Sequence, residues 1–71
     1  MAGDLPVVIY PPSGDGGRRV RVDGAFLGMA YTLVDIAEFL RRAGMEDVEA
    51  SDVERADWVE WRGGGPGVWA P

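Results

Sequence analysis

The chain has 71 residues, of which 12 are acidic and 7 basic, so its formal net charge is −5. It contains neither Cys nor His, which excludes disulfides and the usual zinc, copper and iron ligand sets. This length indicates a single domain, residues 1–71, with a small core and modest stability.

Charge and apolar run length restrict the partners that we expect. A net negative charge disfavours nucleic acid, because binding requires basic residues that neutralise phosphates. No apolar run approaches bilayer length, and residues 1–4 lack the basic start and apolar core of a signal peptide. We therefore expect a cytoplasmic protein that contacts no membrane and holds neither a cofactor nor a metal ion.

A β-branched run at residues 7–10, bracketed by prolines, predicts the first strand. Residues 11–17 are rich in Pro and Gly and predict a loop. Consecutive glycine N–H groups beside Arg18 and Arg19 suggest an anion site. The loop lacks the Lys-Ser/Thr ending of a phosphate-binding loop, however, so a mobile connection is the favoured interpretation.

Residues 18–30 predict a β-hairpin whose turn is Asp23-Gly24, the two-residue signal for a type I′ turn. The register pairs Val22 with Ala25, Val20 with Leu27, Arg21 with Phe26, and Arg19 with Gly28. The valines then share one side of the pleat, and we expect a cation–π contact between Arg21 and Phe26 on the other.

Residues 32–43 predict the main helix, which packs on one face of the sheet. Thr32 caps its start, and Asp35 is placed to complete a capping box. Gly44 permits a left-handed ending after it. Apolar residues recur at intervals of three and four and form one stripe: Leu33, Ile36, Ala37, Leu40 and Ala43.

The segment after Gly44 is acidic and predicts a solvated surface. Its spacing does not match a calcium-binding EF-hand loop, which disfavours a metal site. Ser51 and Glu54 form a second capping-box pattern that predicts a helical turn at residues 52–56. Alternation of apolar and polar residues then predicts a last strand at 58–62.

These elements predict an α+β fold. We expect a small antiparallel sheet of three to four strands, with one main amphipathic helix on one face and a short second helical turn. The sequence leaves open the strand order and whether residues 1–4 and about 63–71 are flexible.

The least ordinary feature is a Trp-rich carboxy-terminal segment, whose candidate partner-binding residues are Trp58, Trp61, Arg62 and Trp69. Trp is enriched at interface hot spots, and Arg beside it can bind a partner carboxylate. The competing interpretation is that these rings close the core and pin the tail.

Three function classes follow, in decreasing order of support. The first is a non-catalytic interaction or adaptor module, which binds a protein partner or a second copy through the Trp-rich segment or an open sheet edge. The second is nucleic-acid binding through Arg18, Arg19 and Arg21, with Phe26 as a stacking ring. The third is an enzyme or small-ligand binder, which the absence of His and the small size disfavour.

Overall fold

The computed structural model describes residues 6–71 and has two layers, a sheet and a pair of helices. Its elements in chain order are β1 (Val7–Ile9), β2 (Arg18–Val22), β3 (Ala25–Ala30), α1 (Leu33–Arg42), α2 (Ala50–Arg55) and β4 (Val59–Trp61). This confirms the predicted α+β class, with four strands, a main helix and a short second one. The expectation about residues 1–4 lies outside the described residues.

The four strands have the order β3-β2-β1-β4, which the sequence did not reveal. The pairs β1–β2 and β2–β3 are antiparallel, as expected, but β4 runs parallel to β1, so the sheet is mixed. A parallel neighbour requires a long connection that returns the chain to the same end of the sheet. Here the hairpin and both helices provide that connection.

The hairpin turn forms as predicted, with positive φ at Asp23 (51°) and Gly24 (86°). Beyond the first two pairs the predicted register is wrong, because a bulge shifts the ladder and pairs Val20 with Gly28 instead of Leu27. The bulge places a residue without a side chain under α1, where a Cβ on Gly28 would lie 2.9 Å from the ring of Phe39.

Helix α1 begins with the predicted cap. The Thr32 hydroxyl accepts a hydrogen bond from the Asp35 N–H at 3.2 Å. The Asp35 carboxylate accepts in turn from the Tyr31 N–H at 2.9 Å, one residue before the predicted donor. The first bond satisfies an N–H group that the helix itself leaves without a partner, and the second fixes the residue before the cap.

The sequence predicted the end of α1 correctly but placed the start of α2 too late. Gly44, at φ 113°, lets the Met45 N–H donate to the carbonyl of Leu40, which is the expected Schellman ending. Helix α2 begins earlier than predicted, because the Glu49 N–H donates to the Asp52 carboxylate at 2.9 Å and so fixes the first turn there.

The core lies between the sheet and the helices. Within residues 6–71 it contains ten buried apolar residues, Val7, Ile9, Val20, Ala30, Ile36, Ala37, Leu40, Val48, Val53 and Val59. Three come from the α1 stripe. One charged side chain is buried with them, that of Arg18, whose exposed fraction is 0%.

Candidate functional site

Arg18 is buried on the inner face of β2, which is the face that the helices cover. Its guanidinium donates five hydrogen bonds, all to backbone carbonyls. Nε donates to Tyr10 at 2.8 Å, Nη1 to Gly65 at 2.8 Å and Val68 at 2.6 Å, and Nη2 to Arg62 at 3.0 Å and Gly64 at 2.8 Å. All five N–H groups of the guanidinium therefore have a partner.

Two indole rings complete the surroundings of this guanidinium. The Arg18 Cζ lies 5.3 Å from the Trp61 ring centroid and 5.6 Å from that of Trp69. The Trp69 ring is itself held, because its Nε1–H donates to the Pro66 carbonyl at 2.8 Å. Burial lowers the pKa of Arg18, but Arg stays protonated at any ordinary pH. We call Arg18, its five carbonyls and these two rings the Arg18 cage.

Glycines allow the tail to wrap around Arg18. Gly63 and Gly64 adopt positive φ, 76° and 127°. A Cβ on Gly64 would lie 2.8 Å from the Val68 side chain. The glycine-rich run at residues 63–67 therefore has a specific role, since it turns backbone carbonyls toward one buried cation.

The sequence carried one signal for this cage that its interpretation missed. Arg18 lies two residues before Val20, so alternation places it on the apolar side of the strand. A charged residue at such a position requires buried partners. Nothing local indicated which carbonyls would provide them.

The four candidate partner-binding residues do not form one surface. Trp61 and Trp69 meet at Arg18, as just described. Trp58 is half-buried against the core and lines a separate depression that also contains Met45. The Arg62 side chain lies on the opposite side of the sheet, where it pairs with Glu60.

The side of the sheet that the helices leave uncovered, here called the outer face, is defined by cross-strand partners. It contains Val8, Tyr10, Arg19, Arg21, Phe26, Met29, Glu60 and Arg62. Tyr10 lies at its centre, with the guanidinium carbons of Arg21 and Arg62 at 5.4 and 5.1 Å from its ring centroid. The predicted contact of Arg21 with Phe26 is therefore wrong, although the two residues are cross-strand partners.

The free edge of β3 is a second exposed feature. The order of strands leaves this edge without a neighbour, and in the described part of the chain its backbone makes no hydrogen bond beyond those to β2. The strand has six residues, AFLGMA, none of them charged. Phe26 within it is 58% exposed.

One exposed hydrogen-bonded group joins the loop after β1 to the start of α1. The Asp15 carboxylate accepts from the Gly17 N–H, the Ser13 hydroxyl and the Tyr31 hydroxyl. These bonds hold the pKa of Asp15 below its ordinary value, the Gly17 N–H contributing most. The hydrogen bond that the Tyr31 hydroxyl donates to Asp15 raises the pKa of Tyr31. The group stabilises the loop by joining it to the residue before the cap of α1.

Comparisons with known proteins provide no family assignment. No protein-family model matches the chain, and neither a curated protein nor a solved structure matches it. Among residues 6–71, no three carboxylates converge as metal ligands would. No helix in that range has the length and apolarity that crossing a bilayer requires.

Proposed function

We propose that this chain is a non-catalytic interaction module of the cytoplasm, and that its binding surface is the free edge of β3. A second copy of the chain is the simplest partner. The observation that supports this is the six-residue, uncharged strand at the edge of the sheet.

An open edge presents unpaired N–H and C=O groups that another strand can satisfy. Proteins that remain monomeric commonly block such edges with Lys, Pro or a covering segment. β3 has no charge and no proline, and the blocking feature that it does carry is the bulge at Leu27. Phe26, within the strand, adds exposed apolar surface. Antiparallel pairing of β3 with β3 of a second copy would form one continuous eight-stranded sheet about a two-fold axis.

Of the two surfaces that the sequence suggested, the Trp-rich segment now has weaker support. Trp61 and Trp69 contact Arg18 within the same chain, so each ring already has a structural role in its own fold. Trp58 keeps that possibility, since it lines an open depression. The edge therefore becomes the leading surface.

The test is the mass in solution across a range of protein concentrations for two matched variants. Phe26 and Val34 are 58% and 60% exposed, but only Phe26 lies in β3. We expect the unmodified chain and Val34→Lys to associate as concentration rises. Phe26→Lys should remain monomeric, because a charged side chain on an edge strand opposes its pairing with another strand.

Hydrogen exchange provides the second readout. On association, the amides of β3 should become protected while those of β4, at the other edge, keep their rates. A chain that stays monomeric at every concentration, with unchanged exchange in β3, would contradict self-association at this edge. Equal loss of association in both Lys variants would place the contact elsewhere.

A further inference from the structure

The outer face has the composition of a surface that binds a flexible polyanion. Arg19, Arg21 and Arg62 lie on it together with two aromatic rings, those of Tyr10 and Phe26. A depression of about 480 Å³ lies between Tyr10, Arg21 and Arg62, and a second, smaller one of about 150 Å³ lies between Tyr10 and Arg19. Within residues 6–71, both helices lie on the other side of the sheet.

The guanidinium groups on this face retain free donors. Within residues 6–71, neither Arg19 nor Arg21 forms a salt bridge. Arg62 bonds to Glu60 through Nε, and within residues 6–71 its two Nη groups donate no hydrogen bond to another residue. Both Arg21 and Arg62 lie against the Tyr10 ring, which holds their planar groups at the surface.

The fold separates the charges of the chain. Eight of the 12 acidic residues lie in the segment that builds the helical layer, namely Asp35, Glu38, Glu46, Asp47, Glu49, Asp52, Glu54 and Asp57. The outer face carries three arginines against Glu60, with Asp23 at its rim. The net charge of −5 therefore arises mainly in the helical layer and not on this face. For that reason it does not argue against nucleic-acid binding here.

We propose that the outer face binds single-stranded nucleic acid, without a preference for base sequence. Arg19, Arg21 and Arg62 contact phosphates, and the exposed ring of Phe26 stacks on a base. An acidic polypeptide would satisfy the arginines but would leave Phe26 without a flat partner. The exposed aromatic surface next to the cations therefore favours nucleic acid.

The test is fluorescence anisotropy with a labelled oligothymidylate of about 12 nucleotides, at protein concentrations where the chain is monomeric. The last condition makes the result independent of association through β3. Three phosphate contacts on a single strand predict that log K falls with log salt at a slope of about −2. Binding should be weak and should weaken further when the oligonucleotide is offered as a duplex.

Two pairs of variants assign the contacts. Arg21→Ala should weaken binding several-fold and make the salt slope shallower by about 0.7, whereas Arg42→Ala, an exposed arginine on α1, should change neither. Phe26→Ala should weaken binding while leaving the slope unchanged, because stacking releases no counterions. Val34→Ala is its control on the helix.

Three results would overturn the proposal. One is the absence of binding at low salt. Another is an equal loss in Arg21→Ala and Arg42→Ala, which would indicate attraction by charge alone at no particular surface. The third is displacement of the oligonucleotide by polyglutamate at equal charge concentration, with no effect of Phe26→Ala, which would identify an acidic polypeptide as the ligand.

Discussion

Arg18 and Arg21 lie three residues apart on the same strand but on opposite faces of the sheet, and their surroundings have little in common. Arg18 is fully buried and donates to five carbonyls. Arg21 is exposed and lies over one side of Tyr10. The comparison shows that the face of a strand, and not the residue type, decides whether an arginine holds the fold together or is available to a ligand.

The Arg18 cage solves an electrostatic problem without a carboxylate. Moving a guanidinium from water into a core costs several kcal/mol unless each donor finds an acceptor. Backbone carbonyls are dipoles of fixed position, and two indole faces add further negative potential toward the cation. The fixed fork of five donors fits this arrangement, whereas the three donors of Lys would leave carbonyls unpaired.

Replacing each arginine with Met should produce the largest difference between the two faces. Arg18→Met should lower the free energy of unfolding by about 3–5 kcal/mol, because buried carbonyls lose their donor and the tail loses its attachment. Arg21→Met should change it by less than about 0.5 kcal/mol, as exposed substitutions do. Urea denaturation measures both values. Similar losses in the two variants would show that the faces do not differ in this way.

The aromatic residues provide the next test. Trp69→Ala should cost about 2 kcal/mol, since it removes a cation–π contact with a buried cation and the bond to Pro66. Phe26→Ala, on the outer face, should have almost no effect on unfolding. The Trp69 variant should also release the tail, which proteolysis of residues 63–71 detects. A tail that remains protected would mean that the carbonyl contacts alone hold it.

A substitution at Gly28 tests the contact between the inner face of the sheet and α1. An alanine there would place its Cβ 2.9 Å from the Phe39 ring at a φ of 151°, so Gly28→Ala should destabilise the chain by about 1–3 kcal/mol. Gly14→Ala is the matched control, because a Cβ at Gly14 meets no atom within 4 Å. Thermal unfolding of the two variants should differ clearly, and a Gly28→Ala protein of normal stability would show that Phe39 moves aside freely.

The smallest effect concerns Asp15 and Tyr31, an exposed pair that belongs to neither face. The pKa of Asp15 is lower in the folded chain, so its contribution is present above 3.8 and disappears as pH falls through the folded value. The pKa of Tyr31 is higher in the folded chain, so its contribution is present below 10.0 and is lost as pH rises through the folded value.

Comparing the unfolding of the unmodified chain with that of Asp15→Asn across pH checks this linkage. The difference between them should be small, and it should shrink at both acidic and strongly alkaline pH. A constant difference across the whole range would indicate that the two groups are not coupled in the way that the hydrogen bond implies.

Local features of the fold were predictable, and features that depend on distant residues were not. The Thr32 cap, the Gly44 ending and the Asp23-Gly24 turn each depend on a few neighbouring residues, whose side chains carry the necessary information. The bulge at Leu27 places Gly28 opposite Val20 and against Phe39, a residue of another element. The sequence of the hairpin alone does not show where its regular ladder is interrupted.

The candidate site divides in the same way. Trp61 and Trp69 were recognisable as unusual from composition, but their partner Arg18 comes more than forty residues earlier in the chain. The outer face needed both the strand order and the parallel placement of β4 before Arg62 came next to Tyr10. Periodicity assigns residues to faces, and only the topology shows which faces are neighbours.

The separation of Arg18 from its partners also has a consequence for the order of folding. Four of its five acceptors lie 44 to 50 residues later in the sequence. Closing so long a loop costs entropy before any contact compensates for it, whereas the hairpin and α1 form from neighbouring residues. We therefore expect the cage to form after the transition state, so that Arg18→Met accelerates unfolding far more than it slows refolding. On this view, the tail determines how long the native state persists, and the hairpin determines how quickly it is reached.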